Sequence, residues 1–165
     1  MRRRYTRSYR RSGYVRRRKW SPVFFSQISN LSSDTTFGTV TLAQNSVNQG
    51  GSAPIATIVK VKNFKVVVDV VSVTTSNGSP SSTFAIMYLP QGYTADINLM
   101  TAHPEWIMAW RSIDLQTTNT VQVSSRLTRN LNSGDSIIFF ITRNFTGAAP
   151  VFGLSLQVSF VTCNN

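Results

Sequence analysis

The chain has 165 residues, a hydrophobic content of 41% and a net charge of +11 at pH 7. This length suffices for one domain with a full core and is too short for two ordinary domains. Because every apolar run falls short of the roughly 18 residues that a membrane-spanning helix requires, we expect no membrane partner.

Most of the positive charge lies at the N-terminus. Residues 1–20 contain ten of the seventeen basic residues and no acidic one, so the other 145 residues hold seven basic and six acidic side chains. Apart from Met1 this segment has one aliphatic side chain, Val15, and cannot bury enough apolar surface to offset the entropy of ordering. We therefore expect a disordered arm over residues 1–20 and one globular domain over residues 21–165.

The arm mixes cations with aromatic rings, a combination typical of segments that bind nucleic acid. Guanidinium groups pair with phosphates, and bases stack on aromatic rings. A nuclear localisation signal needs only the basic run and uses the same residues, so host import machinery is a further expected partner. The arm residues predicted to bind nucleic acid are Arg2, Arg3, Arg4, Arg7, Arg10, Arg11, Arg16, Arg17, Arg18 and Lys19.

Beyond the arm, short apolar runs alternate with turn residues, which indicates an all-β domain. In chain order, the predicted strands cover residues 22–29, 37–44, 56–74, 83–90, 106–114, 120–127, 136–144 and 153–162. Two of these segments leave an alternative open. The first also fits an ordered segment at the base of the arm, and the fifth also matches helical spacing.

The strand predicted at residues 56–74 changes phase in its middle. Before Asn63, valines alternate with Lys60 and Lys62, whereas from Phe64 onward the apolar residues occupy the opposite phase. Such a slip predicts a β-bulge, which bends a strand. We expect Lys60 and Lys62 to point away from the core and to bind nucleic acid beside the arm, while the slip decides the side of Lys65. The alternatives are a solvated strand face and a sheet edge protected by lysine.

Eight strands with unequal connections favour two packed sheets with Greek-key crossings over an evenly spaced meander. One long connection covers residues 90–105. The strand pattern alone leaves two architectures open, a jelly roll and an immunoglobulin-like sandwich.

Several segments, taken in order, carry a family resemblance. They are MRRRYTRSYRRSGYVRRRKW, VKVKNFKVVVDV, FAIMYLPQGYTAD, HPEWIMAWRSID, SSRLTRNLNSGDSIIFFITRN and GLSLQVSFV. Together they resemble the capsid proteins of circular, Rep-encoding single-stranded DNA viruses, a group that includes the circoviruses. The chain is shorter than typical circovirus coats, so surface loops or a tail must be trimmed.

The resemblance implies a single eight-stranded jelly roll with the arm inside the shell. It also implies self-assembly into a small T=1 icosahedral shell of about sixty copies. The implied partner is a viral single-stranded DNA genome, and the implied locations are the virion and, during assembly, the host nucleus. Two alternatives remain open. The first is the coat of a small RNA or satellite virus, because phosphate binding does not distinguish DNA from RNA. The second is a non-viral nucleic-acid-binding β-domain.

Catalysis and cofactor binding find little support in the sequence. His103 is the only histidine, Cys163 is the only cysteine, and the six acidic residues form no close pair. We therefore expect no enzyme, no metal and no other cofactor. Calcium between subunits, bound by carboxylates, is a minor alternative.

Arginines and a turn in the second half of the domain suggest structural roles. Arg126, Arg129 and Arg143 lie near Asp114 and Asp135 in sequence order. We expect these arginines to form salt bridges, either structural or between subunits, rather than to contact DNA. The segment NLNSGD (130–135) is predicted to be a turn in which the glycine supplies a permissive backbone and Asn132 or Asp135 bonds to the backbone.

Large apolar side chains have two possible destinations in an assembling protein, the core and the contacts between subunits. We expect four of them to be core residues: Trp106, Met108, Trp110 and Phe145. The segment 90–110, which includes Tyr93 and Pro104, is the predicted subunit contact.

Overall fold

The computed structural model describes residues 20–31, 37–45, 58–74, 81–114, 120–144 and 151–164. Its strands are β1 (Ser21–Leu31), β2 (Phe37–Gln44), β3 (Val59–Thr74), β4 (Ser81–Leu89), β5 (Ile107–Asp114), β6 (Thr120–Ser125), β7 (Arg129–Leu131), β8 (Ser136–Asn144) and β9 (Val151–Asn164). A short helix, α1 (Leu99–Ala102), and a 3-10 turn (Pro104–Trp106) lie between β4 and β5. Residues 1–19 of the arm lie outside the described residues, so the predicted disorder of the arm stays a prediction.

The strands form two antiparallel sheets. Sheet A has the order β1-β9-β3-β6, with β7 also paired to β3, and sheet B has the order β2-β8-β4-β5. The strand pairs are nested along the chain, so that each pair encloses the next one: β1 pairs with β9, β2 with β8, β3 with β6, and β4 with β5. Rolling this nested ribbon brings β9 beside β3 and β8 beside β4.

This strand order is that of a jelly roll, in which β6 and β7 share one position beside β3. The predicted eight-stranded jelly roll is therefore confirmed, and the strand order differs from that of an immunoglobulin sandwich. The sequence left alternatives for residues 22–29 and 106–114. Residues 22–29 lie in β1 and residues 107–114 lie in β5, whereas Trp106 is the last residue of the 3-10 turn.

The main core lies between the two sheets. Alternate residues of each strand enter it, as strand geometry requires. Val66 and Val68 of sheet A and Ile86 and Phe139 of sheet B have no measurable exposure. Burial of each such side chain stabilises the fold by roughly 1.5–3 kcal/mol.

The predicted β-bulge is confirmed at Asn63. The pairing of β3 with β9 shifts register between Lys62 and Lys65, and Asn63 has a φ of 57°. Asparagine visits this left-handed region more readily than most residues. The extra residue turns Phe64 into the core, where its ring stacks on Phe160 at 5.0 Å.

A second apolar cluster covers the outer face of sheet B. The connection from β4 to β5 folds back over this sheet and buries Leu99 against Ala85, Met87, Ile138 and Phe140. The sequence predicted this connection only as a loop.

The conformation of Asn63 generates a stability prediction. Replacing Asn63 with valine, Asn63→Val, should lower the free energy of unfolding by about 1–3 kcal/mol because a β-branched residue is strained at positive φ. The matched variant Asn63→Gly should stay within about 1 kcal/mol of the wild type. Urea denaturation measures both variants, and equal stability of the valine variant and the wild type would contradict the assignment of the bulge.

Candidate nucleic-acid interface

The base of the arm lies against a lysine of strand β3. Trp20 is the first residue that the structure describes, and its ring centroid is 4.0 Å from Nζ of Lys62. A cation at this distance is attracted to the face of the indole ring. The ten predicted basic residues of the arm all precede Trp20 and lie outside the described ranges, so their binding role stays a prediction. What the structure adds is the point at which the arm joins the domain.

Sheet A turns three lysines toward its outer side. Lys60 and Lys62 alternate with Val61, which is 1% exposed, and Lys65 follows the buried Phe64 and is itself exposed. The bulge therefore decides the question that the sequence left open, because it returns Lys65 to the side of the other two lysines. We call the outward-facing residues of β1, β9, β3 and β6 the lysine face.

The lysines lie in the interior of the sheet. Strand β3 pairs with β9 on one side and with β6 and β7 on the other. The interpretation of these lysines as protection of a sheet edge is therefore wrong.

The charge on the lysine face is uneven. Among the described outward-facing residues of its four strands, the charged ones are the three lysines and Asp69. The carboxylate of Asp69 accepts a hydrogen bond of 2.8 Å from the hydroxyl of Thr120. Asp69 lies four residues beyond Lys65, which corresponds to about 14 Å along an extended strand. The end of the face nearest the arm is therefore the positive end.

Large apolar side chains are also exposed on the lysine face. Phe24 is 75% exposed, Ile28 is 72% exposed and Val71 is 68% exposed. Phe24 was not predicted from the sequence as a binding residue. The signal was present in the pair Phe24–Phe25, because adjacent residues of a strand point to opposite faces and one ring must leave the core.

Arg129, for which a salt bridge was predicted, instead contacts a backbone carbonyl and an aromatic ring. Its Nη2 donates a 3.0 Å hydrogen bond to the backbone carbonyl of Glu105, and its guanidinium group lies 5.5 Å from the ring centroid of Tyr88. Arg126 is exposed, whereas Arg143 is only 4% exposed. Burial leaves little of Arg143 for contact with a nucleic acid.

The turn predicted at residues 130–135 is confirmed over residues 132–135 and is held by Asp135, whereas Asn130 and Leu131 belong to β7. The Asp135 carboxylate accepts hydrogen bonds from the hydroxyl of Tyr88 at 2.8 Å and from the backbone N–H groups of Gln91 at 3.0 Å and Asn132 at 2.9 Å. Gly134 has a φ of 88°, which favours glycine. Burial, followed by the hydrogen bond to Asp135, raises the pKa of Tyr88 to about 12.

The segment predicted as a subunit contact contains an ordered aromatic cluster. The rings of His103 and Trp106 stack at 3.7 Å, and Tyr93 meets Trp106 edge-on at 4.8 Å. Nδ1 of His103 lies 3.1 Å from Oε1 of Glu105. A backbone hydrogen bond, with the contact to His103 next, lowers the pKa of the Glu105 carboxyl. The contact itself stays a prediction.

The expectation for the large apolar residues of this region is confirmed in part. Met108 is buried and Trp106 is half-buried against the second cluster, but Trp110 is 62% exposed, so its assignment to the core is wrong. Trp110 lies on the edge strand β5 of sheet B, opposite Ala85. Ala85 belongs to the second cluster, but Trp110 does not. Phe145 lies outside the described residues.

Within the described ranges, no three His, Cys, Asp or Glu side chains come together as a metal site would require. Among the same residues, no helix is long and apolar enough to cross a membrane. No family model matches the sequence of the chain, and no curated protein matches it either.

The Tyr88–Asp135 hydrogen bond generates a pH prediction. The pKa of Tyr88 is raised from 10.0 to about 12, so the folded state favours the protonated phenol. This contribution is complete below pH 10 and is lost as the pH rises toward 12. Tyr88→Phe should lower the free energy of unfolding at pH 7 by about 1.5–3 kcal/mol and should remove this alkaline component.

Urea denaturation at pH 7 and pH 11 tests this, with Tyr93→Phe as the control for loss of a phenol elsewhere. An unchanged alkaline slope in Tyr88→Phe would contradict the assignment.

Proposed function

We propose that this chain is a viral capsid protein that assembles into a small icosahedral shell and packages a nucleic acid genome, single-stranded DNA by the family resemblance. The observation that carries the proposal is the contact between Trp20 and Lys62 on a jelly roll. It brings Trp20, the last residue of the arm, next to one of the lysines of the lysine face. A protein of this kind has a structural role and no catalytic one.

The charge of the arm suits a partner that must be bound along its whole length. Ten basic residues in the arm, in a shell of about sixty copies, amount to on the order of six hundred positive charges. Phosphate contacts of this kind do not read sequence, and they release counterions when they form. Packaging therefore requires no specific base contact in the arm.

The outer face of sheet B supports the assembly part of the proposal. Tyr93 is 53% exposed and Trp110 is 62% exposed, and both belong to the side of the sandwich opposite the lysine face. Aromatic residues are enriched in protein interfaces. The proposal therefore assigns subunit contacts to sheet B and its covering segment, and the genome to sheet A.

The proposal places the protein in the virion and, during assembly, in the host nucleus, to which the arm directs it through host import machinery. The alternative is the coat of a small RNA or satellite virus, because lysine and arginine bind the phosphates of both nucleic acids. Sequencing the nucleic acid from an authentic particle decides between the two.

The role of the arm is tested by removing its charge without removing its length. In one variant all ten basic residues of the arm become glutamine, and in the matched control the nine arginines become lysine. We expect uniform shells from both, with nucleic acid retained only by the lysine variant. Electron microscopy and the ratio of absorbance at 260 and 280 nm measure the two outcomes.

Affinity for a single-stranded oligonucleotide should fall with salt, with a slope of log affinity against log salt near −0.7 for each phosphate contact. A monodisperse monomer under all salt conditions, or full nucleic acid content in the glutamine variant, would contradict the proposal.

A further inference from the structure

We propose that the lysine face contains a binding site for the bases of single-stranded nucleic acid. One base stacks on the ring of Phe24, and Lys65 holds the neighbouring phosphate. This inference rests on the proposed function, because it takes nucleic acid as the partner. It goes further in assigning base contacts to the folded domain, whereas the arm contacts phosphates.

The site is a shallow cavity of about 420 Å³ between β1, β9 and β3. Small-ligand sites in proteins commonly have volumes of about 300–1,000 Å³. The outward-facing side chains that line it are Phe24, Ser26, Lys65, Val67, Gln157 and Ser159.

The strand register fixes how these side chains face one another. Phe24, Ser159 and Lys65 form one row across the three strands, and Ser26, Gln157 and Val67 form the next. The Phe24 ring and the Lys65 ammonium therefore lie on opposite sides of one serine. That serine is small and its hydroxyl lies 3.5 Å from the backbone carbonyl of Lys65, so it leaves the space above it open.

The two rows together offer contacts for the base and for the phosphate of a nucleotide. The exposed Phe24 ring offers a stacking surface that accepts any base. The amide of Gln157 and the hydroxyl of Ser26 offer both donors and acceptors to the edge of a base. Lys65 supplies a cation for the phosphate, and the nearest acid on this face, Asp69, lies two rows farther along the strand.

A second ring stands beside a second cation on the same face. Trp20 immediately precedes β1 and lies four residues before Phe24, which corresponds to about 14 Å of extended chain, and Lys62 lies over the Trp20 ring. The pairs Trp20–Lys62 and Phe24–Lys65 thus repeat along one line that begins at the arm. A single strand bound along this line would contact both pairs.

The charge pattern favours nucleic acid over a protein partner as the occupant. Apolar contacts between subunits are depleted of charge at their centre, whereas here lysines stand beside the exposed ring. The adjoining arm carries ten basic residues and no acidic one, so it brings a polyanion to the entrance of the cavity.

The test measures the binding of the full-length protein to two oligomers of equal length, oligothymidylate and its abasic counterpart, which keeps the phosphates and lacks the bases. Binding is measured by fluorescence anisotropy at elevated salt. The salt weakens the phosphate contacts of the arm, so the contribution of base stacking to the affinity can be measured. Phe24→Ala should weaken oligothymidylate binding by about 5- to 100-fold and leave abasic binding unchanged. Phe24→Trp should bind at least as tightly as the wild type.

Two further variants separate the contributions. Ile28→Ala is the matched control, because Ile28 lies on the same strand and face with similar exposure but does not line the cavity. It should bind both oligomers as the wild type does. Lys65→Gln should weaken both oligomers and reduce the salt slope by about 0.7.

The inference is overturned if Phe24→Ala binds oligothymidylate normally, or if it weakens both oligomers equally. It is also overturned if Phe24→Ala prevents shell formation with unchanged oligonucleotide affinity, because the face would then be a subunit contact. Should Phe24→Ala fail to fold, Phe24→Trp decides: quenching of its added fluorescence by oligothymidylate and not by the abasic oligomer is the expected result. Normal packaging through the arm with a negative result here would leave the proposed function intact.

Discussion

One extra residue in the central strand of sheet A determines which side of the sandwich is basic. Asn63, with a φ of 57°, resets the alternation of β3 so that Phe64 enters the core and Lys65 faces outward with Lys60 and Lys62. Regular alternation would place Phe64 in solvent and an unpaired lysine in the core, and burial of an unpaired charge is strongly unfavourable. The same local feature therefore serves both the packing of the core and the charge of the surface.

The two outer faces of the jelly roll are completed differently. Sheet B is covered by the segment between β4 and β5, which buries Leu99 and leaves Tyr93 and Trp110 exposed. Sheet A has an open face on which the exposed ring of Phe24 lies on the same side as the lysines, and the ring of Trp20 lies against Lys62. This asymmetry is the basis for assigning nucleic acid to one side and subunit contacts to the other.

Much of the fold was predictable because strands carry a local signal. Alternation identified eight of the nine strands, and the change of phase identified the bulge at its residue. The three-residue strand β7 was not predicted because it is too short to show alternation. The packing of Leu99 on sheet B and the exposure of Trp110 were missed because both depend on contacts between segments distant in sequence. The cavity beside Phe24 was missed for the same reason, since its residues come from three strands that only the register brings together.

The central claim is that the lysine face is turned toward the packaged genome. Electron cryomicroscopy of filled particles tests this most directly, because it shows both the orientation of the subunit and ordered density next to it. The account predicts that β1, β9 and β3 line the interior and that density for stacked bases lies over Phe24 and beside Lys65. A shell in which this face lies on the exterior, or is buried between subunits with no nucleic acid against it, would contradict the account.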